Sequence, residues 1–207
     1  MLALYDASER LSLLAPYSPR LRFNVYVAIG HYAQAASGMT ADARMVANRC
    51  RGECRQYKRF LGDMIPGGVL CDRIASYFHL FTLYWFMRPM GAGALLAVVD
   101  KDGPQLYGME TSGQAFRYYG TAIGKGRQSA KTEIERLKLS ELSCREAVKK
   151  VAKILHNAHE EKEKGTELEL SWICPESNNC FSKVPAELHK EADREARQAI
   201  EDEQMGC

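Results

Sequence analysis

Four groups of residues have types and spacings that could do chemistry. Gly124-Lys125-Gly126-Arg127-Gln128-Ser129 could cradle a phosphate, because glycines free backbone amides at a helix start and lysine adds charge. The nucleotide-binding form of that motif needs a glycine five residues before the Gly-Lys pair and Ser or Thr directly after it. Tyr119 and Gly126 stand in those places, so the segment reads as a strand-to-helix turn. Cys50 and Cys54 lie one helical turn apart. Zinc sites show C-x-x-C and further ligands at definite spacing. No such partner pair is nearby, so these are read as core cysteines. His156 and His159 are three apart and could share a helix face. Neither H-E-x-x-H nor Gly-x-Ser-x-Gly accompanies them, which argues against a metal or catalytic role. Residues 44–59 hold Arg44, Arg49, Arg51, Arg55, Lys58 and Arg59. A helix so charged could neutralise nucleic-acid phosphates. Its aromatics, Tyr57 and Phe60, stand at its end rather than interleaved, so an exposed or subunit-facing helix is the favoured reading and nucleic acid the alternative.

These groups need elements to position them. Arg22 to Ala36 alternates β-formers (Phe23, Val25, Val27, Ile29, Tyr32) and is interrupted at Gly30-His31, which predicts a hairpin. Thr40 is placed to cap a helix over 41–61, with Val46, Cys50, Cys54, Tyr57 and Leu61 on its inner face. A second helix is predicted over 69–87, its apolar stripe running from Leu70 through Ile74, Tyr77, Phe78 and Phe81 to Tyr84 and Trp85. Ala94 to Asp100 is a continuous apolar run, as in a strand covered on both faces. Asp102-Gly103 turns it back into a strand over 105–111. Ala115 to Ile123 is predicted as one further strand, and helices follow over 127–139 and from Ser143, with Glu146 completing a capping box, to about Glu160. Thr166 to Ile173 alternates as a strand does. Pro185 opens a last helix. Paired helices between groups of hairpin-linked strands predict a layered α+β sandwich and not a doubly wound sheet.

The chain has 207 residues, 46% of them hydrophobic and 26% charged, which fits one globular domain, 1–207, ending in an acidic helix over 185–207. The formal charge of +2 gives no ground for a nucleic-acid or membrane partner. Basic residues dominate 1–60 and acidic ones 185–207, an asymmetry that could steer assembly with neighbours. No apolar run of about 18 residues occurs, and Asp6, Glu9 and Arg10 do not suit a secretory signal. The 7 cysteines are odd in number and scattered, which predicts reduced thiols in the cytoplasm or nucleus.

Several stretches then occur in a telling order: Ser37-Gly38-Met39-Thr40-Ala41-Asp42-Ala43-Arg44, Arg88-Pro89-Met90-Gly91, Val99 to Tyr107, Ala122 to Arg127, Ser143 to Ile154, and Glu167 to Trp172. Together they resemble the alpha-type subunits of the 20S proteasome, most of all the eukaryotic seventh alpha type. The resemblance implies a four-layer αββα sandwich of the Ntn-hydrolase type. It also implies a non-catalytic subunit of a seven-membered ring that caps the beta rings, gates substrate entry and receives regulatory caps in ubiquitin-dependent degradation. No catalytic residue, cofactor, metal, nucleic acid or membrane is expected. An active Ntn hydrolase, the other alternative, would need an N-terminal threonine; the first threonine here is Thr40. By resemblance, Arg10 and Met39 would line the pocket that holds an activator's C-terminal carboxylate, with arginine in the place of a lysine. The family's Phe-Ser-Pro-x-Gly and Gln-Val-Glu-Tyr-Ala stretches do not follow Tyr5-Asp6. The chain is therefore expected to lack the family's first helix and first strands, and to expose an open sheet edge.

Overall fold

The computed structural model describes residues 2–6, 11–15, 25–29, 31–139, 142–158 and 168–205. Within them the order is β1 (Leu2–Asp6), β2 (Leu11–Ala15), β3 (Val25–Ile29), β4 (Tyr32–Gly38), α1 (Thr40–Leu61), α2 (Gly67–Leu83), β5 (Ala92–Asp100) and β6 (Gly103–Met109). Then come β7 (Ala115–Arg117), β8 (Gly120–Ala122), α3 (Arg127–Glu135), α4 (Cys144–Ala158), β9 (Ser171–Ile173), β10 (Ser182–Lys183) and α5 (Ala186–Met205). The fold is α+β, with two antiparallel sheets.

The Asp102-Gly103 turn joins two strands of one sheet, ordered β3-β4-β5-β6-β7. Gly103 adopts φ 93°, a backbone conformation that its missing side chain permits. Asp100 then pairs with Gly103 and Ala94 with Met109. The second sheet runs β10-β9-β2-β1-β8. Period two divides the side chains of β4 and β5 between two cores. Tyr32, Ala94, Leu96 and Val98 meet Val46, Cys50, Cys54, Leu70, Ile74 and Phe78 of α1 and α2. Ala33, Ala35, Leu95, Ala97 and Leu106 face the other way, toward Ile173 of the second sheet. A third core joins α3, α4 and α5 to the second sheet through Ala130, Val148, Val151, Leu155, Trp172, Leu188 and Ala192.

Polar contacts fix the helix starts. The Asp100 carboxylate accepts the first backbone N–H of α2, from Gly67 at 2.8 Å, and a bond from the Gln105 amide at 3.1 Å. A carboxylate there also suits the positive end of the helix. Ser143 and Glu146 form the expected box: the Ser143 N–H and hydroxyl donate to Glu146 at 3.0 and 2.8 Å. The buried Tyr32 hydroxyl donates to the Ile65 carbonyl beneath the loop between α1 and α2.

Several expectations are corrected. Thr40 is the first residue of α1 and not its cap; Met39 takes the cap position, held by its N–H donating to the Gly91 carbonyl at 2.9 Å. Leu61 is exposed at the last turn of α1 instead of lying on its inner face. Helix α2 ends at Leu83, and Tyr84 is extended (φ −108°, ψ 133°). Tyr84 and Trp85 therefore leave the buried stripe, and Trp85 stands 95% exposed. The strand expected over 115–123 is two strands. The Tyr118 N–H bonds to Leu106 in the first sheet, after which the chain crosses and Gly120–Ala122 pairs with β1. Helix α3 stops at Glu135, where Arg136 and Leu137 tighten to bonds three residues back. Strand β9 covers only Ser171–Ile173 of the predicted strand over 166–173, of which 166–167 lie outside the described residues.

The largest departure from the sequence-based expectation is at the start of the chain. The open edge expected there is not formed by β1. That strand lies inside the second sheet, paired with β2 on one side and β8 on the other.

Candidate functional site

Met39 lies where β4 passes into α1, and 53% of it is exposed. The backbone around it is closely constrained. Gly38 has φ 132°, and a Cβ there would lie 2.2 Å from the Gly91 carbonyl oxygen. A Cβ on Gly91 would in turn lie 2.6 Å from the Met39 sulfur. Only glycines let these two segments approach so closely.

A charge clamp closes the same corner. Asp42, in the first turn of α1, is 5% exposed. It accepts two bonds from the Arg88 guanidinium, at 2.6 and 2.9 Å, and one from the Gly91 N–H at 2.7 Å. The Arg88 bonds, then the Gly91 N–H, hold the Asp42 carboxyl below the usual aspartate range. Both segments stand among the family-like stretches of the sequence, but their pairing is not legible there. The available signal is a single Asp in the first turn of a strongly basic helix and a single Arg beside the proline that follows the next one. Arg10, the expected partner of Met39, lies outside the described residues, so only Met39 of that pair is placed.

The basic helix is partly neutralised from within. Glu53, buried on α1, bonds to Arg49 at 2.5 Å and to Arg73 of α2 at 2.9 Å. Both guanidiniums lie over rings, Arg49 over Tyr77 and Arg73 over Tyr57. Arg44, Arg55, Lys58 and Arg59 face solvent.

Cys50 and Cys54 are buried in the α1–α2 core, as expected, beside a third thiol, Cys71, whose place in the sequence gives no hint of the grouping. Burial pushes Cys54 up to about 11 and Cys71 to about 12, and raises Cys50 further still. Such thiols are poor nucleophiles. The Gly124-Lys125-Gly126 segment is the turn that was expected, with both glycines at positive φ. The described histidines do not converge. His31 bonds to the Asn179 carbonyl at 2.6 Å and His189 to the Leu168 carbonyl at 2.8 Å, while His156 pairs with Asp193 at 2.8 Å. His159 lies outside the described residues.

Comparison with known proteins decides what this scaffold is. Residues 24–173 match the family model described as proteasome subunit. The chain belongs to the proteasome subunit family. It is 51% identical over 173 residues to proteasome subunit alpha type-3 of Oryza sativa subsp. japonica, covering 83% of this chain and 70% of that protein. It is 44% identical over 199 residues to the alpha type-3 subunit of Acanthamoeba castellanii, covering 96% and 79%. The probable proteasome subunit alpha type-7 of Schizosaccharomyces pombe matches at 37% over 199 residues, again 96% and 79%. This alpha-type subunit is thus a non-catalytic structural component of the 20S proteasome core, and it assembles with other proteasome subunits. The active-hydrolase alternative gives way to that finding.

Proposed function

We propose that this alpha-type subunit occupies one position in a seven-membered alpha ring. There it contributes to ring assembly, substrate gating and activator docking in the cytoplasm and nucleus. Its neighbours are other alpha subunits, the beta ring and regulatory caps. The observation that carries this reading is identity of 51% to an alpha-type relative across 83% of the chain. The ring position is the one held by the relatives named alpha type-3 in plants and alpha type-7 in yeasts, since this one chain matches both groups.

The four-layer αββα order belongs to the same proposal. It is supported by the apolar layer between the sheets and by the separate cores that hold α1–α2 against one and α3–α5 against the other. Met39, exposed beside the Asp42–Arg88 clamp, lines the activator pocket, and Arg10 is its partner there by resemblance. An arginine can still hold a carboxylate, in planar bidentate fashion.

The test is purification of the native 20S particle from the source, followed by mass spectrometry. Peptides spanning 125–172 in stoichiometric yield with the other alpha subunits are expected. Their absence from the particle would overturn the reading. Within the assembled particle, Met39→Glu is expected to weaken binding of an activator C-terminal peptide by about tenfold, because it sets a carboxylate against a carboxylate.

A further inference from the structure

The layer between the two sheets is filled at its centre and open at one end. Leu95, Ala97 and Leu106 pack its interior. Toward that end, Gly93 on β5, Gly91 just before it and Gly108 on β6 line a cavity of about 320 Å³.

Its lining is charged and hydroxylic. Arg127 and Lys131 of α3 both line it. They are one helical turn apart, an arrangement in which like charges repel. Among the described residues neither cation has a carboxylate partner; Lys131 has the ring of Tyr118, 5.9 Å away. No side chain caps the start of α3. Thr121 of β8 lines the cavity although the residue is only 3% exposed. Ser37 adds a second hydroxyl, and among the described residues Glu110 is the one carboxylate in the lining.

We propose that this cavity binds a compact oxyanion, a carboxylate or a phosphate, between Arg127 and Lys131 with the Thr121 hydroxyl as a donor. An anion there relieves the repulsion between the cations and offers the Thr121 hydroxyl a charged acceptor. The two cations stand on α3, away from the Asp42–Arg88 clamp, and the proposal does not depend on the ring assignment.

Isothermal titration of the full chain with inorganic phosphate, and separately with succinate, tests it. Saturable binding that weakens as salt is added is expected for at least one probe. Phosphate alone would identify a phosphoryl ligand, succinate alone a carboxylate, and both an oxyanion of either kind. The Arg127→Gln/Lys131→Gln double variant should bind at least about tenfold more weakly, and Glu110→Gln more tightly. Saturating probe should raise the thermal midpoint by ~5–10 °C at a hundred times Kd. No saturable binding by either probe, or a folded double variant that binds as well as the parent, overturns the proposal. Should the double variant not fold, Thr121→Val decides: a several-fold loss supports the site and unchanged affinity overturns it.

Discussion

The guanidinium of Arg88 forks onto the carboxylate of Asp42, 46 positions away in the chain, through bonds of 2.6 and 2.9 Å. This one contact ties the start of α1 to the segment entering β5. It closes the corner where Met39 stands.

Asp42→Asn is therefore expected to destabilise the chain by about 2–4 kcal/mol at neutral pH, since it removes charge from three hydrogen bonds at a buried acceptor. Arg88→Met should act in the same direction, by leaving that carboxylate unmatched. The pH dependence follows from the depressed folded-state pKa of Asp42. The clamp's contribution is fully present above the unfolded value, about 3.9, and is lost as pH falls through the lower folded-state value. Urea midpoints of parent and Asp42→Asn should differ most at neutral pH and converge in acid. A difference that grows toward acid would contradict the assignment.

Two glycines of the same region should respond oppositely to alanine. Gly38→Ala places a Cβ 2.2 Å from the Gly91 oxygen at φ 132° and should cost more than about 2 kcal/mol. Gly52→Ala, inside α1 with nothing within 4 Å of the new Cβ, should stabilise by roughly 0.5–1 kcal/mol. Thermal melts of the two variants distinguish these outcomes.

The two tryptophans occupy opposite environments. Trp172 is 3% exposed and donates to the Ser182 hydroxyl at 3.1 Å, whereas Trp85 is 95% exposed. Iodide should quench the fluorescence of the Trp172→Phe variant, which retains Trp85, and leave that of Trp85→Phe largely intact. Trp85→Ala should change the chain's own stability by less than about 0.5 kcal/mol, against roughly 3–5 for the fully buried Phe78→Ala.

Thiol reactivity should follow burial. Cys50, Cys54 and Cys71 are buried, with raised pKa values, while Cys180 is half-exposed. Brief alkylation of the native chain at pH 8, read by peptide mass spectrometry, should label Cys180 well before those three. Denaturant should bring all four to similar rates.

What is legible in the sequence is local. The 3.6-residue spacing of Val46, Cys50 and Cys54, and of Val148, Val151 and Leu155, marks α1 and α4 because one helix face alone meets the core. Asp102-Gly103 marks the β5–β6 hairpin, and Ser143 with Glu146 marks a helix start. What escapes is non-local. Strand β1 is recognisable only through its partners, one of which, β8, lies about 120 residues later. The break at Tyr118-Tyr119 belongs to a segment that continues in sequence while changing sheets, which no periodicity records. Met39 enters through the family resemblance alone. Asp42 and Arg88, which shape its surroundings, cannot be paired from the sequence, because nothing in either segment names the other.

The strand order β10-β9-β2-β1-β8 also sets a timetable for synthesis. The first sheet draws its strands from residues 25–117 and can form with α1 and α2 once that stretch has left the ribosome. The second joins the start of the chain to residues 120–122, 171–173 and 182–183. Strands β1 and β2 thus emerge before the partners on either side of them, and β2 waits for β9 until translation nears residue 173. In the interval their hydrogen-bonding edges are open to any chain nearby, which makes this half of the molecule the natural client for a chaperone.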